Sequence, residues 1–220
     1  MDILIIPIIL LPLVAQWKVK SNYNKYLKKK NNINMTGAEA ARKILDKNGL
    51  NNVDIIQTDG VLSDHYNPTN KTVALSKEIY TGNTIASIAV AAHDVGHAIQ
   101  HKEAYSFLTF RTKMVPIVNF SSRISSIILA LGFFLGYAGL IDLAIALLCI
   151  SLLFQLVTLP VEFNASSRAK IQLEQIGLLA EEDTKGVHKM LSAAAFTYVA
   201  SFLASALQVL RLIAMSNKRR

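Results

Sequence analysis

His93 and His97 stand four residues apart in Ala91-Ala92-His93-Asp94-Val95-Gly96-His97-Ala98-Ile99-Gln100. On a helix this spacing stacks both imidazoles on one face, where their ring nitrogens can reach a single metal ion. The surroundings are apolar and alanine-rich, so two imidazoles there are costly unless something satisfies them. Asp94 follows the first histidine, at the place where the H-E-x-x-H motif carries the glutamate that takes a proton from metal-activated water. The histidine spacing points to metal binding, and the shorter acid leaves hydrolysis an open question. Gly96 between the histidines leaves room for another backbone to approach, with ordinary packing as the equal alternative.

A catalytic zinc site needs a third protein ligand and an open position. Cys149 is the only cysteine and lies in an apolar run, so no intramolecular disulfide forms and the ligand must be His, Asp or Glu. His101 lies eight residues beyond His93, about 12 Å of helical rise, which is too far for a shared shell. Asp142 falls at the break between two apolar runs, Glu181-Glu182-Asp183 reads as a solvated charge run, and Glu174 has Lys170 as its i,i+4 partner. Glu162 has no such explanation. It follows a membrane-length apolar run, beside Pro160, which disfavours a straight helix and can aim the carboxylate sideways. The alternative for Glu162 is an interfacial carboxylate paired with Arg168 or a lysine.

The elements that position these residues are mostly apolar. Of 220 residues, 52% are hydrophobic, which points away from a purely soluble chain. Apolar runs cover residues 3–15, 124–141, 143–160 and 193–210. The first is short for a span, but Trp17 supplies an interfacial anchor. It lacks the basic start and small-residue cleavage site of a secretory signal, so it is expected to remain as an anchor. The second and third read as a helical hairpin with Asp142 at its tip.

The net charge of +8 is concentrated where a membrane accounts for it. Lys18, Lys20, Lys25, Lys28, Lys29 and Lys30 follow the first apolar run, and only Asp2 precedes it, which places residues 18–123 on the cytoplasmic side and favours anionic lipid headgroups. The basic tail Lys218-Arg219-Arg220 ends on the opposite side under this topology, against the same rule. Basic and aromatic residues are not interleaved as a nucleic-acid surface requires, so no nucleic-acid partner is expected.

Between the apolar runs, Thr36-Gly37-Ala38-Glu39 has the form of a capping box, and Gly49 is a plausible helix stop. Residues 53–56 and 61–62 read as short strands joined at Asp59-Gly60, and 72–76 as another strand entered through Asn67-Pro68-Thr69-Asn70. The histidine-bearing helix is expected to start near Asn83 or Thr84, with Ile85, Ile88, Ala92, Val95 and Ile99 facing the core.

The histidine segment, together with Leu156-Val157-Thr158-Leu159-Pro160-Val161-Glu162-Phe163-Asn164-Ala165-Ser166, resembles the YugP-type bacterial membrane zinc metallopeptidases. Ser63-Asp64-His65-Tyr66-Asn67-Pro68 and Ala194-Ala195-Phe196-Thr197-Tyr198-Val199-Ala200 match that family as well, and the similarity runs over nearly the whole chain. The resemblance implies a gluzincin-like site with zinc on His93, His97 and Glu162 and with Asp94 at the general-base position. Two departures stand out: Asp94 replaces the family's glutamate, and Ser166 stands where HtpX-like gluzincins carry an aspartate.

The expected fold is a mostly α membrane protein with a small β-sheet inserted among about four transmembrane helices. The expected organisation is an anchor at 1–17, a basic linker at 18–33, a cytoplasmic metallopeptidase domain at 34–123, a transmembrane hairpin at 124–160, a helix with the third ligand and a polar region at 161–192, and a membrane helix with a basic tail at 193–220. Protein or peptide substrates and membrane lipids are the expected partners, in the bacterial cell (inner) membrane with the site facing the cytoplasm. An inactive zinc-bound scaffold and a metal-free structural membrane protein are the competing readings. For substrate, the strand containing Val73, Ala74 and Leu75 is expected either as an open edge that receives an extended peptide or as an ordinary sheet strand. His65 or Tyr66 is the candidate donor to the oxyanion, with a structural role as the alternative.

Overall fold

A short 3-10 turn at Asp2–Leu4 leads into helix α1, Ile5–Leu27. The computed structural model describes residues 2–177 and 181–217, so the basic tail Lys218-Arg219-Arg220 lies outside the described residues. The chain divides into two units, one from the described parts of Met1–Gln16, Ser106–Pro160 and Thr197–Arg220, the other from Trp17–Tyr105 and Val161–Phe196.

The first unit holds the early part of α1, all of α5 (Ser106–Leu135), the first part of α6 (Ala138–Gln175) and the later part of α7 (Glu181–Asn217). Among the described residues α5, α6 and α7 are long and apolar enough to cross a membrane, where about four were expected. Helix α1 differs because its apolar part stops at Trp17, and Lys18, Lys20 and Lys25 occupy its later turns. Phe120, Ile127 and Phe134 of α5 and Leu210 of α7 are exposed, as side chains facing lipid are. Ile141 and Ile145 pack with Val209 and Leu212 between the helices.

The α5–α6 turn is not at Asp142. It falls at Gly136, whose φ of +63° is the left-handed conformation that glycine adopts without a Cβ penalty. Asp142 lies inside α6, where its Oδ1 accepts the Ser216 hydroxyl at 2.6 Å. Helix α6 also runs unbroken through Pro160.

The second unit begins with the end of α1. Residues 18–27, expected as linker, are helical, and Tyr23 and Tyr26 are buried in the core. The next residues are ordered by backbone bonds: Lys30 bridges to Thr84, and buried Asn31 closes a loop onto the Met35 backbone. Helix α2 (Gly37–Lys47) starts with the capping box read from sequence, Thr36 Oγ1 accepting the Glu39 N–H at 3.2 Å and Glu39 Oε2 accepting the Thr36 N–H at 2.8 Å.

A three-stranded sheet follows, β1 (Asp54–Thr58), β2 (His65–Asn67) and β3 (Thr72–Ser76), in the order β1-β3-β2. Strand β3 pairs parallel with β1 and antiparallel with β2, and all five of its residues are buried. Val73 and Ala74 are therefore paired on both sides, and Leu75 pairs with Gln57 of β1. Val61 and Leu62 form no strand; they lie exposed in a turn where Leu62 has a φ of +58°. The chain is drawn to β3 instead, because Asp64 Oδ1 accepts the Ser76 N–H at 2.7 Å and the Ser76 hydroxyl at 3.0 Å.

A short helix α3 (Lys77–Thr81) precedes α4 (Ile85–Lys102). Thr84 caps α4 by accepting the Ser87 N–H, and Ile85, Ile88, Ala92, Val95 and Ile99 are all buried, as their period requires. Helix α4 crosses the later part of α6 at Gly96, where a Cβ would lie 2.7 Å from the carbonyl oxygen of Ala165. The acidic run read as solvated is not so at Asp183, which is buried with Oδ2 accepting the Asn32 N–H at 2.8 Å.

Two outcomes follow from this packing. Thr36→Ala removes one side of the capping box and is expected to lower stability by about 1 kcal/mol, read as a lower thermal midpoint of the full chain in detergent. Gly96→Val forces α4 and α6 apart and is expected to cost about 1–3 kcal/mol; a Gly96→Val protein that melts with the parent would show that this crossing tolerates bulk.

Candidate metal centre

Helix α4 presents His93 and His97 one turn apart, and the two rings meet edge to face with centroids 4.8 Å apart. Close approach at Gly96 brings Glu162 of α6 against both. Glu162 Oε2 lies 3.3 Å from His93 Nε2 and 3.6 Å from His97 Nε2, and its side chain is 3% exposed. Among the described residues these three form the group whose ligand atoms lie within 4.8 Å of one another. Arg168, the alternative partner for Glu162, is engaged by Glu103 at 2.6 Å and by Asn164 at 2.7 Å.

The donor set can be tested against a metal by distance alone. Two donors each about 2.1 Å from a tetrahedral zinc lie about 3.4 Å apart. The contacts of 3.3 and 3.6 Å bracket that value, and the longer one exceeds a hydrogen bond. Two imidazoles and one carboxylate also suit zinc chemically, with a position left open. The residues present therefore fit the ion.

Electrostatics agree with this reading. Burial holds the His93 imidazole below its ordinary pKa, partly offset by Glu162, so the ring is neutral and its lone pair free to ligate. Asp94 is 5% exposed, and its Oδ2 has no hydrogen-bond partner among the described residues. Burial pushes its carboxyl well above the usual range, and the charges of Asp64 and Glu162 add to the shift. A divalent cation reverses that local logic. An orphaned buried carboxylate oxygen beside a convergent donor set is an arrangement that a cation and its water would satisfy.

The other residues singled out in the sequence have hydrogen-bond partners of their own. His65 is exposed on β2, with its Nδ1–H donating to the Ser63 carbonyl at 2.8 Å. Tyr66 Oη is bonded to His101 Nδ1 at 2.8 Å, which gives both of those residues a partner outside the metal group.

Three residues around the ligands escaped the sequence reading. Ser166, noted there only as a departure, places its Oγ 3.3 Å from His93 Nδ1. Gln100 bonds to His97 Nδ1 at 3.0 Å, and Asn164 bonds to Gln100 at 2.9 Å. For Gln100 a signal existed, since a polar residue three positions after His97 shares its helix face. Asn164 and Ser166 carried none without the pairing of α4 and α6.

Comparison with known proteins bears on the same residues. A family model described as "Putative neutral zinc metallopeptidase" matches residues 1–217. A Bacillus subtilis (strain 168) protein named "Putative membrane protease YugP" is 49% identical over 199 residues, covering 90% of this chain and 88% of its own length. No solved structure matches the chain. With the match running through every element that builds the His93, His97 and Glu162 group, the chain belongs to this zinc metallopeptidase family.

Proposed function

We propose that this protein is a membrane-embedded, gluzincin-like zinc endopeptidase that hydrolyses membrane-associated or unfolded protein segments. The observation that carries the proposal is the convergence of His93 Nε2, His97 Nε2 and Glu162 Oε2 at spacings that suit tetrahedral zinc. Zinc in such a site lowers the pKa of water and polarises a carbonyl. His93 and His97 would hold the ion through Nε2, and Glu162 would offset one of its charges. Asp94 takes the proton from the attacking water and passes it to the amine nitrogen as the C–N bond breaks. His65 is the proposed electrophilic donor to the carbonyl oxygen, because its Nδ1 is fixed by Ser63 and its ring is exposed on β2. Since Thr72–Ser76 is enclosed, an extended peptide can pair only at the outer edges of β1 and β2.

The site is assigned to the cytoplasmic side of the bacterial cell (inner) membrane. Support comes from exposed Lys18, Lys20, Lys25, Lys28, Lys29 and Lys30, which suit anionic headgroups. Three membrane-length helices and the name of the Bacillus subtilis relative support the multi-pass setting.

One observation favours a second reading. Asp94 is about 1.5 Å shorter than a glutamate in that position, and a general base must come within about 2.6–3.2 Å of the proton it takes. A chain that holds zinc and binds unfolded segments without turnover is the alternative.

Metal analysis tests the ligands: His93→Ala, His97→Ala and Glu162→Gln are each expected to lose the stoichiometric zinc that the parent retains on purification. A parent without zinc, indifferent to His93→Ala, would end the metal reading. Cleavage of an unfolded protein, with and without chelator, tests the base. Asp94→Ala is expected to keep zinc and lose cleavage, and Asp94→Glu to gain chelator-sensitive cleavage. If neither the parent nor Asp94→Glu cleaves, the scaffold reading replaces the peptidase for that substrate class.

A further inference from the structure

Gln100 is fully buried one turn beyond His97 on α4. A buried primary amide must satisfy two N–H donors and one carbonyl oxygen. Its Nε2 lies 2.8 Å from the backbone carbonyl of Val161 and 2.9 Å from Asn164 Oδ1. A backbone carbonyl cannot donate. The Asn164 atom is likewise fixed as oxygen, because Arg168 Nε donates to it at 2.7 Å while Arg168 is itself held by Glu103. Turning the Gln100 amide over would set its oxygen against two oxygens, so its orientation is dictated by chemistry. Gln100 Oε1 therefore faces His97 Nδ1 at 3.0 Å. An acceptor at that place requires Nδ1 to carry the proton, so the neutral ring keeps its lone pair on Nε2, the atom turned toward Glu162.

We propose that Gln100 is a positioning residue for the metal: it fixes the tautomer and ring angle of His97 and, through the Val161 carbonyl, holds that ligand in register with Glu162. This rests on the zinc reading given above. Gln100 touches neither the ion nor the substrate, so its effect acts through His97. It also differs from Ser166, because a hydroxyl can donate or accept and so leaves the His93 tautomer undictated. One amide thus joins a ligand on α4 to the residue preceding the ligand on α6.

The test is zinc affinity of the full chain in detergent, measured by competition with a chromophoric chelator, alongside the visible spectrum of the cobalt-substituted protein. Gln100→Met fills nearly the same volume without hydrogen bonds and is expected to weaken zinc about 10–100-fold. Gln100→Glu, its buried carboxyl protonated and donating to the Val161 carbonyl, keeps an acceptor for His97 Nδ1–H and is expected to recover most of that loss and the parental cobalt spectrum. Helical content and thermal midpoint of the zinc-free proteins identify a variant that has not folded. If Gln100→Met fails that control, Asn164→Ala, which removes one of the two acceptors that orient the amide, is expected to weaken zinc in the same direction by a smaller factor. Parental affinity in Gln100→Met, or in Asn164→Ala where Met does not fold, overturns the proposal while the metal centre stands. Equal weakening by Met and Glu overturns it too, since the amide would then act only as a tie between helices. A parent that binds no zinc overturns both readings, and the His93→Ala comparison separates that outcome from the others.

Discussion

The approach of Gly96 to the carbonyl of Ala165 is the constraint on which the site depends. A side chain at position 96 would meet that oxygen at 2.7 Å, so the two helices can lie this close only because position 96 has no Cβ. The glycine sits between the two histidines on α4, and Ala165 lies three residues after Glu162 on α6. Closest contact therefore occurs where the ligands must meet. Everything else in the unit keeps α4 in that place: the Thr84 cap sets its start, and Ile85, Ile88, Val95 and Ile99 bury its opposite face.

Bringing these groups together is unfavourable without a charge between them. Glu162 is nearly fully buried, Asp94 is buried with an orphaned oxygen, and Asp64 adds a third carboxylate whose field reaches Asp94. Burying like charges side by side costs several kcal/mol per ion unless a counter-charge compensates them. Neutral imidazoles cannot provide it. A divalent cation would, and under the proposed function the same cation would make the carboxylates useful as ligand and base rather than merely tolerated. The electrostatic strain and the proposed chemistry thus have one origin.

What could be read from the sequence divides along the range of the interactions. The capping box at Thr36 and Glu39, the start of α4 at Thr84 and the stacking of His93 on His97 are set by residues within four positions of one another. Glu162 was legible for a different reason, as a carboxylate at the end of an apolar run with no basic residue three or four positions away in the sequence. The order of the strands was not legible, because Val73, Ala74 and Leu75 have the same composition whether central or at an edge. Likewise Val61 and Leu62 read as strand until Asp64 is seen holding Ser76, a contact twelve residues long. Asp142 drew the helical break to itself as the one charge in an apolar stretch. Gly136 was the actual stop, by its left-handed backbone rather than its polarity.

The ligands and the base are held in unequal ways, and that asymmetry bears on what Asp94 does. His97 is tied to Gln100 and from there to Val161, Asn164 and Arg168, and His93 lies beside Ser166. Asp94 Oδ2 has no such tie. No hydrogen bond of the ligand framework passes through this oxygen, so a change of one methylene at position 94 is expected to leave that framework in place. In the proposed site it would alter how far the carboxylate reaches toward the attacking water. In the proposed site, affinity for the metal would rest on His93, His97 and Glu162 and turnover on Asp94, so a chain could keep the first while the second varies with the length of one side chain.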